Sequence, residues 1–252
     1  MNALRLERDG DLRRVTMARP ERRNAFDAEL IGELTQAFGD VGDDMLAVLL
    51  AGEGKSFSAG ADVDWMRSAA ELSYEENVTD ARRLRMMLET IESCPAPVVA
   101  RVQGHALGGG CGLVSCADIV IASPDVEFAF SEVKLGIIPA VISPFALAKI
   151  GPSAARRYFV TGERFDAGTA LRIGLVHEVA EDLDAAVELV LIELRSAGPE
   201  AARHAKKLVL ERPDGPGTER RIAQRRTSDE GQEGLRAFLE KRDPSWASRS
   251  SS

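Results

Sequence analysis

Gly104-His105-Ala106-Leu107-Gly108-Gly109-Gly110-Cys111-Gly112 comes just after the apolar run Val98-Val99-Ala100-Arg101-Val102. The run reads as a buried strand, and the glycine-rich stretch as the start of the helix it feeds. Gly108, Gly109 and Gly110 leave the first backbone N–H groups of that helix unobstructed, and the helix dipole adds positive potential there. An oxyanion is expected to fit.

Outward from this turn, strand candidates fall at residues 4–8 and 13–18, joined by a turn at Asp9-Gly10-Asp11, and then at 45–51, 98–102, 119–122 and 126–130. Leu30, Ile31, Leu34 and Phe38, behind an Asp27 N-cap, mark one amphipathic helix; Leu84, Met87, Leu88 and Ile91 mark another. Past about residue 180 the pattern is almost all helical, with Leu183, Val187, Val190, Leu191 and Leu194 in phase. Segments near 199–211 and 218–241 are charged and only thinly apolar, as expected of helices that finish a core elsewhere, on another subunit for example. Ser248 to Ser252 read as a frayed tail. The order predicts an α/β fold.

A length of 252 residues allows one domain with a sizeable core and an appendage. No apolar run approaches the roughly 20 residues of a membrane span, and no basic-then-apolar leader opens the chain, so a protein of the cytoplasm is the expectation. A net charge of -8 argues against nucleic acid or anionic lipid as partner, although a local basic pocket can still hold an anionic ligand. Cys94, Cys111 and Cys116 form no CxxC pair and have no histidine cluster near them, so buried thiols are expected and no metal site.

Several motifs fail. Gly54-Lys55-Ser56 looks like the end of a phosphate-binding loop, but Leu49 stands where its first glycine belongs. Leu107 and Cys111 break a dinucleotide-binding GxGxxG. GxSxG is absent, and His105, His177 and His204 are scattered, so no serine hydrolase is expected.

A second glycine-containing turn also follows a strand: Lys55-Ser56-Phe57-Ser58-Ala59-Gly60-Ala61-Asp62-Val63. It resembles the xFxAGADxx signature of the crotonase (enoyl-CoA hydratase/isomerase) superfamily, and the run from Gly104 resembles that family's GxAxGGGxx. Further matches are Arg23-Asn24-Ala25-Phe26, the segment from Ser131 to Pro139, Ile173-Gly174-Leu175-Val176, and Ala237-Phe238-Leu239-Glu240-Lys241-Arg242. They keep order and spacing over nearly the whole chain. The resemblance implies a crotonase-like spiral of ββα units over residues 1–195, with the acyl-CoA site. A helical C-terminal region over 196–252 would then serve oligomerisation and site closure, in a homotrimer or a dimer of trimers. Coenzyme A enters as part of the substrate, with no separate cofactor.

The implied chemistry has a physical logic. A thioester that gains or loses a proton at its α-carbon passes through an enolate, whose oxygen needs two convergent N–H donors. By similarity these are Ala61 and Gly109, and losing one such donor typically costs about 10²- to 10³-fold in rate. Glu132, 20 residues after Gly112, matches the family's acid/base glutamate; the bland alternative is a solvated loop carboxylate. Arg22, Arg23 and Lys55 lie in the regions that bind the nucleotide, with Ala59, Asp62 and Val63 around the first turn. Asp62 is equally read as ordering that turn. Phe238 and Lys241 match a C-terminal helix that often reaches a neighbouring subunit. His105 is read as structural.

The departure is Gly112, where two-glutamate hydratases of the family carry their other glutamate. Three explanations stand open: an isomerase, in which one base removes and returns the proton; a glycine that makes room for a substrate carboxylate or bound anion, as in naphthoate synthases; or hydration through Glu132 alone. Pro139-Ala140-Val141-Ile142-Ser143-Pro144-Phe145 looks most like the bacterial 3-methylglutaconyl-CoA hydratase group, which favours the third and a branched substrate. A non-catalytic acyl-CoA scaffold is the reading outside enzymology, and retained Glu132 argues against it.

Overall fold

The apolar runs of the sequence become a sheet buried on both faces in the computed structural model, which describes residues 3–247. In chain order the elements are β1 (Leu4–Asp9), β2 (Leu12–Met17), α1 (Ala28–Gly39), β3 (Ala47–Gly52), α2 (Val63–Ala69), α3 (Tyr74–Glu92), β4 (Val98–Val102) and β5 (His105–Leu107). There follow α4 (Gly109–Cys116), β6 (Ile119–Ala122), β7 (Glu127–Ala129), α5 (Ser143–Thr161), β8 (Phe165–Asp166), α6 (Ala167–Arg172) and β9 (Glu178–Val179). The chain then turns wholly helical in α7 (Leu183–Ser196), α8 (Pro199–Glu211), α9 (Gly215–Thr227) and α10 (Asp229–Glu240).

The main sheet has the order β1-β2-β3-β4-β6-β9. Only the β1–β2 hairpin is antiparallel, and its turn uses Gly10 at φ 60°. From β2 onward the pairing is parallel, which requires helices on the faces. Alternate residues of β3 and β4 therefore enter two different cores. Val48, Leu50, Val98 and Ala100 pack with α1, α3, α4 and α5; Ala47, Leu49 and Val99 pack with Leu183, Ala186, Val187 and Leu191 of α7. A smaller sheet, β5-β7-β8, stands apart and carries the site.

The expected Asp27 cap is present, its side chain accepting the N–H of Leu30. A capping box at Ser73 and Glu76 starts α3. The strands anticipated at 45–51 and 126–130 are shorter than expected, and β5, β8 and β9 went unforeseen, because two or three residues show no periodicity. The segment expected as one helix over 218–241 is α9 and α10, separated at Ser228, whose hydroxyl caps α10 by accepting from Gly231. The tail at Ser248 to Ser252 lies outside the described residues. No helix of the described residues is long and apolar enough to cross a membrane. The boundary expected at 195 falls in the last turn of α7. Beyond it, α8 is fastened by Lys206, which pairs with Asp118 at 2.7 Å and donates to the Ala96 carbonyl.

Asn24 ties the segment before α1 to the loop after β3. It is fully buried at φ 54°, a left-handed conformation that Asn tolerates, its Oδ1 accepts from the Arg19 N–H, and its Nδ2 donates to the carbonyls of Glu53 and Ser56. Replacing Asn24 with Ala leaves those buried groups unpaired, at about 1–3 kcal/mol for each fully desolvated one. Urea denaturation of Asn24→Ala is expected to show a loss of about 3 kcal/mol.

Candidate active site

Backbone register assembles the site. Ala106, the middle residue of β5, bridges Ser58 on one side and pairs with Phe128 of β7 on the other, both in parallel. Three residues beyond Ser58 comes Ala61, three beyond Ala106 comes Gly109, and four beyond Phe128 comes Glu132. The parallel alignment delivers all three to one place. Ala61, Gly109 and Glu132 line a single cavity of about 480 Å³.

The glycines are explained by how closely the two turns pass. At Gly60, φ 88°, a Cβ would lie 2.7 Å from the Leu107 carbonyl oxygen; at Gly110 it would lie 2.7 Å from that of Ser58; at Gly109 it would enter the ring of Phe26. Gly109 opens α4, so its N–H has no intrahelical acceptor. Among the described residues the Ala61 N–H has no acceptor either. Both residues line the cavity, and the positive end of α4 lies at Gly109.

Glu132 lies in a short 3-10 turn, Ser131–Leu135, closed by Gly136 at φ 74°. Its Oε1 comes within 3.3 Å of where a Gly108 Cβ would stand, so glycine there leaves the carboxylate room. Its Oε2 is buried with no hydrogen-bond partner. Burial pushes its pKa above the usual glutamate range, against a smaller opposing effect of its own backbone N–H, and no cation contributes. An unpartnered carboxylate held in this state is poised to exchange protons with a ligand.

Gly112 does not open onto free space. A Cβ there would lie 2.6 Å from Cγ2 of Ile142 and 3.6 Å from Cδ1 of Leu88. The first carbon of any side chain at this position would already meet methyl groups, which speaks against the explanation that the glycine makes room for a carboxylate or anion.

The other anticipated residues are distributed unevenly. Ala59 lines the cavity. Asp62 caps α2 by accepting from the N–H groups of Asp64 and Trp65, and it pairs with Arg22 at 3.1 Å. Burial works to raise its pKa, but these donors prevail and hold it below the usual carboxylate range. Arg22 is thus engaged by Asp62. Arg23 and Lys55 are exposed on adjoining turns, and Val63 is exposed at the first position of α2. Phe238 and Lys241 lie at the end of α10, outside the cavity lining, with the Phe238 ring 81% exposed.

Sequence reasoning missed two groups. Ser56 Oγ lies 3.1 Å from His105 Nδ1, a contact that the scattered histidines of the sequence do not suggest, and His105 Nε2 lies 3.6 Å from Glu127. Ser56 is buried and neither it nor His105 lines the cavity, so the pair cross-links the two turns instead of meeting substrate. Asn77 and Asp80 of α3 do line the cavity; the helical period of α3 marks its apolar stripe and passes over them. Cys94, Cys111 and Cys116 are free and buried, and burial pushes all three thiols upward. Among the described residues no group of His, Cys, Asp and Glu has the arrangement of a metal site.

The family model for enoyl-CoA hydratase/isomerase matches residues 7–249. The chain belongs to the enoyl-CoA hydratase/isomerase family. A short-chain-enoyl-CoA hydratase of Clostridium acetobutylicum is 33% identical over 219 residues, covering 83% of this chain and 81% of the relative. The crystal structure of an enoyl-CoA hydratase from Shewanella pealeana superposes with a TM-score of 0.92 at 41% identity, over 97% of this chain and 96% of that one. AtuE of Pseudomonas aeruginosa superposes with a TM-score of 0.94 at 37% identity, over 97% and 99% of the two chains. The crotonase fold expected from the motifs is therefore the fold of this enzyme family.

Overpacking at Gly112 is directly measurable. Gly112→Ala is expected to lose about 1–3 kcal/mol in urea denaturation, the usual penalty for an extra carbon in a filled core. Adding Ile142→Ala should recover part of that loss, giving a coupling of about 1 kcal/mol in a double-mutant cycle.

Proposed function

We propose that this enzyme hydrates a 2-enoyl-CoA thioester reversibly, with Glu132 as its one acid/base group. The carrying observation is the buried, unpartnered Oε2 of Glu132, beside Gly108 in the cavity that Ala61 and Gly109 also line. Glu132 takes a proton from water, hydroxide forms the C–O bond at C3, and the π-electrons move onto the thioester oxygen. The two N–H donors hold that enolate, and protonated Glu132 returns its proton to C2. One carboxylate serves both steps in succession, so hydroxyl and proton arrive on the same face. The names of the relatives from Clostridium acetobutylicum and Shewanella pealeana support hydration over isomerisation.

The acyl group is proposed to be uncharged. Among the described residues no Lys, Arg or His lines the cavity, and Asp80 does, which argues against a dicarboxylate such as 3-methylglutaconyl-CoA. Coenzyme A phosphates are proposed to meet Arg23 and Lys55. Exposed Val209, Phe238 and Leu239 on the thinly packed C-terminal helices support the trimer or dimer of trimers the family implies, in which Phe238 and Lys241 would approach a neighbour's nucleotide.

Hydration of crotonyl-CoA, followed by loss of the conjugated thioester absorbance in deuterated water, tests the reading. Glu132→Gln should lower kcat at least 10³-fold, and wild type should place deuterium at C2 on the hydroxylated face; hydration that survives the substitution refutes the mechanism. Because the Glu132 pKa is raised, kcat/KM should fall on the acid side at a pH above the ordinary glutamate range.

The same shift predicts stability with the opposite sign from activity. A carboxyl whose folded pKa is raised stabilises the fold only while protonated, and that contribution is lost as pH rises through the folded value. Thermal denaturation should therefore find Glu132→Gln more stable than wild type at neutral pH. The gap should close below pH of about 4, where glutamate is protonated in both states.

A further inference from the structure

Asn77 and Asp80 of α3 are polar groups on the cavity wall that hydration does not use. Three residues apart, they share the helix face that also brings Ala81 and Leu84 to the cavity. Asn77 donates its amide hydrogens to the carbonyls of Leu72 and Ser73, both at 3.1 Å, so its carbonyl oxygen is the group with hydrogen-bonding capacity left. Among the described residues the half-buried Asp80 carboxylate has neither hydrogen bond nor ion pair. Around them the wall is mostly apolar, with Trp65, Met66, Ile138 and Val141. Leu88, against Gly112, marks the deep end of the same helix, eight residues from Asp80. At 1.5 Å per residue that is about 12 Å along the axis, so the pair is set well away from the filled pocket beside Gly112.

The Asn77 carbonyl oxygen and the Asp80 carboxyl group can both accept hydrogen bonds, and a polar acceptor covered by an apolar ligand is costly unless something donates to it. We propose that Asn77 and Asp80 form a specificity subsite that selects 2-enoyl-CoA substrates whose acyl tail carries a hydrogen-bond donor, such as a hydroxyl. A tail ending in methyl leaves the acceptors desolvated and unpaired, and a tail ending in carboxylate meets like charge. Sites built to bond a polar substituent discriminate strongly against the analogue lacking it. This inference rests on the hydratase reading and names the substrate class for it.

The test uses three matched esters: 2-hexenoyl-CoA, its 6-hydroxy derivative and its 6-carboxy derivative. Wild type is expected to favour the hydroxy ester over the methyl ester by about tenfold in kcat/KM, and to disfavour the carboxy ester by about tenfold more. Asp80→Leu should abolish or reverse the hydroxyl preference. Asp80→Asn, of nearly the same shape, should keep that preference while relieving the rejection of carboxylate. Ratios that agree within about twofold between wild type and Asp80→Leu overturn the subsite. Calorimetric binding of the matching saturated esters reads the same ratios without turnover. A protein that binds selectively but hydrates none of the three would overturn the hydratase reading and keep the subsite, whereas hydration with unselective tails would do the reverse.

Discussion

Everything chemical in this molecule depends on the pairing of one small residue. Ala106 sits between Ser58 and Phe128, so three chain segments run side by side in the same direction and leave the sheet together. Parallel pairing spaces residues evenly along each strand, so three or four steps from one crossing point end at nearby positions. An offset of one residue would turn the wrong N–H toward the ligand or send Glu132 to the opposite face. Ala106 is fully buried, and its neighbours hold the alignment: the Ser58 N–H donates to His105, the Leu107 N–H donates to Ser58, and the Gly108 N–H donates to Ala129.

That alignment governs the electrostatics as well. The enolate site proposed here opens at the start of α4, whose other end is closed by Lys149 donating to the carbonyls of Val114 and Ala117. A cation at the last turn complements the helix dipole. Burial lowers the Lys149 pKa to about 8, with Asp118, Cys116 and Glu92 acting in the opposite direction. Glu132 receives no comparable compensation, since its raised pKa comes from desolvation alone. The fold spends order on placing N–H groups and leaves the carboxylate uncomfortable, which is the state a proton-transfer group requires.

Much of this is legible in the amino-acid sequence. The two glycine turns, Glu132 and the Asp27 cap are local patterns, and local patterns survive in a sequence. What remained hidden was set by contacts between distant residues. Ile142 fills the space beside Gly112 from 30 positions away, and no periodicity joins them. Ser56 meets His105 across 49 residues for the same reason. Asp80 lies within a helix that the apolar residues identify correctly, but an apolar stripe says nothing about which polar residue at its edge turns toward a cavity. The short strands β5, β8 and β9 owe their existence to their partners more than to their own residues.

The filled pocket at Gly112 also bears on descent. A change to glutamate at this position, taken alone, overpacks against Ile142; a smaller residue at 142, taken alone, leaves a void in the core. Neither order of events passes through a protein as stable as the starting one. Gly112 and Ile142 are therefore coupled through two side-chain volumes, and a glutamate at position 112 is reached only by way of a less stable protein.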